Sequence, residues 1–140
     1  MTDSTRWFRR FLLATASVVY ATVVVELWLV GHVEGWRQWI PFVVVAFGLV
    51  AVGWLAVRPS RAAVAAVRVV GVVAVVTSAV GVWLHVEGNL AFAREVNAGI
   101  GTGEAVWEAL SGVNPLLAPG MVALASVLAA AATYRHPAAV

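Results

Sequence analysis

Four long apolar runs, almost free of charged residues, constrain this chain more than any other feature of its sequence. A helix that crosses the hydrocarbon core of a bilayer needs about 20 mostly apolar residues. We therefore predict an all-α membrane protein, a bundle of four transmembrane helices in a single domain. The predicted spans are Phe11–Val30, Ile40–Val57, Val69–Val86 (with an alternative start near Ala62) and Leu116–Tyr134.

The composition excludes several other classes of protein. Of the 140 residues, 62% are hydrophobic and 11% are charged, whereas a soluble domain carries about 25% charged residues. This balance argues against a soluble enzyme and against a disordered chain. A membrane β-barrel would show alternating apolar and polar residues, and these runs do not alternate. Because the chain has no cysteine, disulfides, thiolate metal sites and cysteine nucleophiles are excluded.

The first span has a basic segment before it, as a cleaved signal peptide would. Its apolar run is long, however, and ends in Leu-Trp-Leu-Val-Gly rather than in a small-x-small cleavage site. We therefore predict a retained membrane anchor.

The distribution of arginine predicts the orientation of the spans. One side carries seven arginines, namely Arg6, Arg9, Arg10, Arg58, Arg61, Arg68 and Arg135, and the other only Arg37 and Arg94. The positive-inside rule then places both termini in the cytoplasm. The bias toward valine, alanine and arginine without lysine suggests a GC-rich bacterial genome, and hence the bacterial inner membrane. Since topology accounts for the arginines, we expect no nucleic-acid binding.

The segment 87–115 is the one connection large enough to form a cap outside the membrane. Its first part continues the third helix toward Val96, although Gly88 weakens that helix, and the glycines of 97–103 predict a loop. Thr102 is a candidate N-cap for a short amphipathic helix over Glu104–Leu110, which we expect to lie on the outer membrane interface.

A short motif occurs twice, at the predicted outer ends of spans one and three. Trp28–Gly35 and Trp83–Gly88 both contain Trp-Leu followed by His-Val-Glu-Gly, with two extra residues in the first copy. Two hairpins related by an axis along the membrane normal would produce such a pattern. We interpret it as an internal repeat, with chance similarity in a low-complexity chain as the alternative.

Small residues form stripes on two spans, where they allow membrane helices to approach closely. On span three the stripe comprises Gly71, Ala74, Ser78, Gly81, His85, Gly88, Phe92 and Glu95, and on span four Gly120, Ala123, Val127 and Ala130. Such stripes indicate packing within or between chains, which is compatible with a homo-oligomer or a larger membrane complex.

Ionisable residues at the outer ends of the spans form the candidate site, because such groups are costly in a membrane and usually functional. The candidate metal ligands are His32, His85, Glu26, Glu34 and Glu87. On a continuous helix, residues two apart point to nearly opposite sides. His85 and Glu87 can therefore face the interior together only if the helix unwinds near Gly88.

These residues allow three functions. We favour a structural network of hydrogen bonds in a non-enzymatic accessory or scaffold protein. The first alternative is a metal site, which would suit zinc, manganese or iron on ligand type. The second is a haem-binding protein with His32 and His85 as the two axial ligands. No serine lies in a nucleophile elbow, and the glycines of 99–103 lack the lysine of a phosphate loop.

Overall fold

The computed structural model describes residues 3–139 and is helical, with no β-strand in that range. Its five α-helices are α1 (Asp3–Leu29), α2 (Ile40–Val57), α3 (Arg61–Val96), α4 (Thr102–Ser111) and α5 (Leu117–Ala132). Short 3₁₀ turns occupy Trp36–Trp39 and Pro137–Ala139. The predicted all-α fold is thus confirmed.

Four of these helices form a bundle, and the remaining one covers part of it. α1 packs against α2 and α5, and α3 packs against the same two helices from the other side. Short connections make sequential helices antiparallel neighbours, so the bundle runs up, down, up, down. α4 packs on α3, at what we call the cap end of the bundle.

Within residues 3–139, three helical segments are long and apolar enough to cross a membrane, judged by length and composition. They are Asp3–Leu29, Trp36–Val57 and Arg61–Val96. The helix at the fourth predicted span, α5, is apolar but has only 16 residues.

The observed helix bounds differ from the predicted spans mainly at charged ends. α2 has the bounds of the second predicted span, whereas α1 begins at Asp3 and α3 extends from Arg61 to Val96. Arginine is a good helix former, so these helices continue beyond their apolar parts. Ser60 fixes the start of α3, since its Oγ accepts a hydrogen bond from the Ala63 amide at 3.1 Å.

One expectation for the cap is confirmed and one is corrected. As predicted, the third helix continues through Gly88 to Val96. Thr102 is the first residue of α4 rather than its N-cap, because Gly101 has the extended conformation of a capping residue. α4 turns Ala105 and Ala109 toward the protein and leaves Val106, Trp107 and Leu110 exposed.

A buried tyrosine links α1 to α5 in the core. The hydroxyl of Tyr20 lies 2.8 Å from Oγ of Ser126. Because Ser126 uses its own proton to bond the Val122 carbonyl at 2.7 Å, Tyr20 is the donor between the two hydroxyls. The Tyr20 ring lies against Gly48 of α2, where a Cβ would come within 2.7 Å of Cζ. Only glycine leaves room for the ring there.

The small-residue stripes are confirmed only in part. On α3, Gly71, Ala74 and Ser78 are buried, but Phe92 and Glu95 are exposed. The stripe predicted for α5 is not its buried face within the chain, which consists of Val122, Ala125, Ser126, Ala129 and Ala132; packing of the stripe between chains stays a prediction. Nearly every residue of α5 is small or apolar, so size alone does not distinguish the face that contacts α1 and α3.

Arginines hold the carboxyl end of α5 at the opposite end of the bundle. We call this the arginine end; it carries Arg6, Arg9, Arg10, Arg58, Arg61, Arg68 and Arg135. Arg68 donates from Nε to Oγ1 of Thr133 and from Nη2 to its carbonyl, both at 3.0 Å. Nη2 of Arg9 donates to the carbonyls of Tyr134 (2.9 Å) and Arg135 (2.8 Å). Both side chains thus bind carbonyls that have no partner within the helix and offset the negative end of its dipole.

Candidate functional site

His85 connects α3 to the segment that enters α5. Its Nδ1 lies 2.9 Å from the carbonyl oxygen of Pro115. A carbonyl only accepts hydrogen bonds, so Nδ1 carries the proton and Nε2 of the neutral ring keeps its lone pair. The half-buried imidazole thus holds the cap to the bundle through Nδ1, and Nε2 is available to accept a hydrogen bond or bind a ligand.

His32 lies in the turn that follows α1. Gly31 has a φ of 69°, a left-handed conformation that glycine adopts without strain, and the His32 amide donates to the Leu27 carbonyl at 2.9 Å. This geometry ends the helix and brings His32 back against the bundle. Partial burial lowers the pKa of His32 below its ordinary 6.5, and positive charge on His85 lowers it further. The two histidines are therefore close enough to influence each other.

The three candidate glutamates do not join the histidines. Glu26, Glu34 and Glu87 are all exposed. The side chain of Glu26 forms no hydrogen bond or ion pair with any residue that the structure describes. Because α3 is continuous through Gly88, Glu87 lies on another face from His85, beside Trp83 and Arg94.

The five candidate ligands therefore do not form a single cluster. Within residues 3–139, no group of three or more histidine, aspartate or glutamate side chains lies close enough to hold a metal ion. Of the candidate ligands, His32 and His85 lie near enough to each other for an electrostatic interaction. The two copies of the repeated motif also differ, since His32 lies in a turn and His85 lies inside a helix.

Asn89 is a buried polar residue of the cap that the sequence analysis did not identify. It is 2% exposed and uses both atoms of its amide. Nδ2 donates to the carbonyls of Ala109 and Asn114, both at 3.0 Å, and Oδ1 accepts from the Asn114 amide at 2.9 Å. A Cβ at Gly112 would lie 2.6 Å from Cγ of Asn89, so glycine is required there.

A signal for Asn89 was nevertheless present in the sequence. It is a polar residue four positions after His85, and residues four apart lie on the same helical face. Asn89 and His85 therefore face the same segment, and together they fix the connection between α4 and α5 to α3. Chemically, the arrangement binds backbone carbonyls and amides of its own chain.

The polar groups at the cap end, His85 and Asn89, thus hold α3 to the segments that follow it. Comparisons of the chain with protein-family models, with curated proteins and with solved structures found no match.

Proposed function

We propose that this chain is a small polytopic protein of the bacterial inner membrane that acts as a non-enzymatic accessory or scaffold subunit. The observation that carries the membrane location is the apolar exterior of the bundle. Outward-facing side chains midway along the helices are large and more than half exposed, including Val18, Phe47, Val50, Val72, Val76 and Val127. Contiguous apolar surface of this extent is unfavourable in water, whereas lipid solvates it.

α5 is proposed as the fourth span despite its length. It packs between α1 and α3, and contacts at both of its ends support this. Arg9 and Arg68 bind its carboxyl end, and His85 binds Pro115 just before its first residue. If α1 and α3 cross the bilayer, α5 crosses with them. The arginine end then faces the cytoplasm with both termini.

The scaffold role is supported by how the polar side chains inside the bundle are used. Tyr20 binds Ser126, Arg68 binds Thr133, and Asn89 binds the carbonyl of Ala109. Each of these contacts joins one helix to another. Polar groups of this kind stabilise membrane helix bundles, and here they serve the bundle's own geometry.

The membrane location and orientation can be tested by single-cysteine labelling, because the chain has no cysteine of its own. Suitable positions are Ser4 at the arginine end, Ala98 at the cap end and Val50, which is 67% exposed, midway along α2. With a membrane-impermeant maleimide on intact cells, we expect Ala98→Cys to react and Ser4→Cys to react only after lysis.

The Val50→Cys variant distinguishes lipid from water around the bundle. We expect it to remain unlabelled in membranes after lysis, although its side chain points outward, because a thiol in hydrocarbon does not ionise. Labelling of Val50→Cys at the rate of Ala98→Cys, together with release of the chain by alkaline carbonate, would refute the membrane location. Labelling of Ser4→Cys in intact cells would reverse the orientation.

The accessory role predicts that the chain associates with other protein in the membrane. Cross-linking in native membranes before purification in mild detergent should yield either a second protein in fixed ratio or more than one copy of this chain. The exposed face of α4, with Val106, Trp107 and Leu110, suits contact with the membrane interface or a partner. Recovery of single, unlinked chains alone would contradict this role.

A metal- or haem-binding function with His32 and His85 is the second candidate, and one observation favours it. Ligating histidines usually donate their second ring N–H to a carbonyl or carboxylate, as Nδ1 of His85 does with Pro115. Elemental analysis and the visible spectrum of protein purified without chelator would test it. Bound metal or haem that is lost in the His32→Ala, His85→Ala double variant but kept in His136→Ala supports this function, and its absence from folded protein contradicts it.

A further inference from the structure

A groove of about 250 Å³ opens between α1 and α5 at the arginine end. It has two chemically different parts. Apolar side chains form its wall along the helices, and two arginines with a tyrosine lie where α5 ends. These residues are Phe8, Leu12 and Ala131 in the wall, and Arg9, Tyr134 and Arg135 at the end.

The backbone at the end of the groove holds Arg135 in a particular position. Its φ of 45° is in the left-handed region, which residues other than glycine rarely adopt. Arg9 stabilises this turn by donating to the carbonyls of both Tyr134 and Arg135. The guanidinium of Arg135 lies 5.4 Å from the centre of the Tyr134 ring, at the mouth of the groove. Unusual backbone of this kind is often found at binding sites.

The charge around the groove is strongly positive. The arginine end carries seven arginines and a single acid, Asp3, which pairs with Arg6 at 3.2 Å. This positive charge affects the pKa of His136, which follows Arg135 in the chain. Partial burial lowers its pKa, and the charges of Arg9 and Arg68 lower it further. In agreement, Nδ1 of His136 accepts a hydrogen bond from the Ala138 amide at 3.2 Å, which requires an unprotonated nitrogen.

We propose that this groove binds an anionic phospholipid, with the phosphate beside Arg135 and Arg9 and an acyl chain along Phe8, Leu12 and Ala131. The proposal rests on the membrane location argued above. Guanidinium groups suit phosphate oxygens, and basic pockets between membrane helices on the cytoplasmic side bind anionic lipid headgroups. The apolar wall favours a lipid over a soluble phosphate, which would leave that wall uncovered.

Native mass spectrometry of the purified chain tests the headgroup preference. The protein is released from mild detergent micelles that contain equal amounts of phosphatidylglycerol and phosphatidylcholine with the same acyl chains. We expect the wild type to retain phosphatidylglycerol several-fold more than phosphatidylcholine. In Arg135→Gln this preference should fall by a factor of about five, the effect of removing one arginine near a charged headgroup.

Two further variants separate this site from general effects of charge. Arg37→Gln is the matched control, since Arg37 lies 5.6 Å from the centre of the Trp36 ring but at the cap end. It should keep the wild-type preference. Ala131→Leu fills the wall of the groove without changing the charge, and it should reduce retained phosphatidylglycerol. The side chain of Arg135 makes no hydrogen bond with the described part of the chain, and that of Ala131 has no polar atom. Both variants should therefore fold.

Several outcomes would overturn the proposal. Equal retention of the two lipids by the wild type, or equal losses in Arg135→Gln and Arg37→Gln, would exclude a specific site. Displacement of the lipid by soluble glycerol phosphate at equal concentration would assign the groove to a soluble anion instead. Alkaline extraction of the same variants distinguishes failure of the membrane location, in which the chain is released, from failure of the lipid site alone.

Discussion

The contact between Gly48 of α2 and the ring of Tyr20 makes a sharp prediction about stability. An alanine Cβ at position 48 would lie 2.7 Å from Cζ and 2.9 Å from Cε2 of Tyr20, whereas carbon atoms in contact are about 3.5–4.0 Å apart. The ring cannot move away easily, because Tyr20 is 1% exposed and its hydroxyl is bound to Ser126 at 2.8 Å. Gly48→Ala should therefore strain the core where α1, α2 and α5 meet.

The loss of stability in Gly48→Ala is estimated by comparison with a second glycine on the same helix, Gly53. Overpacking a well-packed core costs about 1–3 kcal/mol, but replacing glycine by alanine inside a helix also contributes up to about 1 kcal/mol of stability. At Gly53 a Cβ would meet no atom within 4 Å, so Gly53→Ala carries the same helix-propensity gain without the clash. We expect Gly48→Ala to be less stable than Gly53→Ala by about 1–3 kcal/mol.

The measurement is reversible unfolding of both variants in the same mild detergent, followed by circular dichroism. The free energies of unfolding are compared with each other rather than with the wild type, since the propensity gain then cancels. A difference below about 0.5 kcal/mol, the scatter of independent substitutions, would refute the inferred contact between Gly48 and Tyr20.

Three other substitutions probe the polar groups of the bundle. Asn89→Ala should cost about 3 kcal/mol, from three hydrogen bonds of about 1 kcal/mol each, and speed amide hydrogen exchange across 97–116; unchanged exchange there would contradict its role. Ser78→Ala should leave the free energy of unfolding equal or raise it by about 1 kcal/mol, because the buried Ser78 hydroxyl has no partner among residues 3–139; a clear loss would reveal a bond. Since the pKa of His32 is lowered on folding, its contribution to stability is complete above pH 6.5, its ordinary value, and is lost as the pH falls. In His32→Gln, the unfolding temperature should change less between about pH 7 and 5 than it does in the wild type. The same change with pH in both proteins would show that His32 does not cause it.

The sequence predicted the helices well because apolar runs and their interruptions are local properties. α2 is bounded by Pro41 in its first turn and by the Arg58-Pro59 turn, and its predicted and observed bounds agree. α1 and α3 were predicted too short because hydropathy detects the part of a helix that is apolar. The basic first turns of α1 are equally helical.

The candidate site was less predictable, because it depends on which face each helix turns inward. Glu26 was predicted as a candidate metal ligand, yet it lies exposed within the last turn of α1. Asn89 was overlooked because its partners are backbone atoms of Ala109 and Asn114. Backbone partners 20 or more residues away leave no pattern in a single sequence, so the spacing showed only that Asn89 shares a helical face with His85.

The unequal lengths of the helices have a consequence for the lipid around the bundle. At 1.5 Å per residue, the 16 residues of α5 extend about 24 Å, less than the roughly 30 Å of a bilayer core. Because α5 is held at both ends, it cannot shift to reduce the mismatch. A bilayer around the proposed span must therefore become thinner beside α5 than beside α1 or α3. Shorter-chain lipids are expected to collect on that side, and the protein should be more stable in thin membranes than in thick ones.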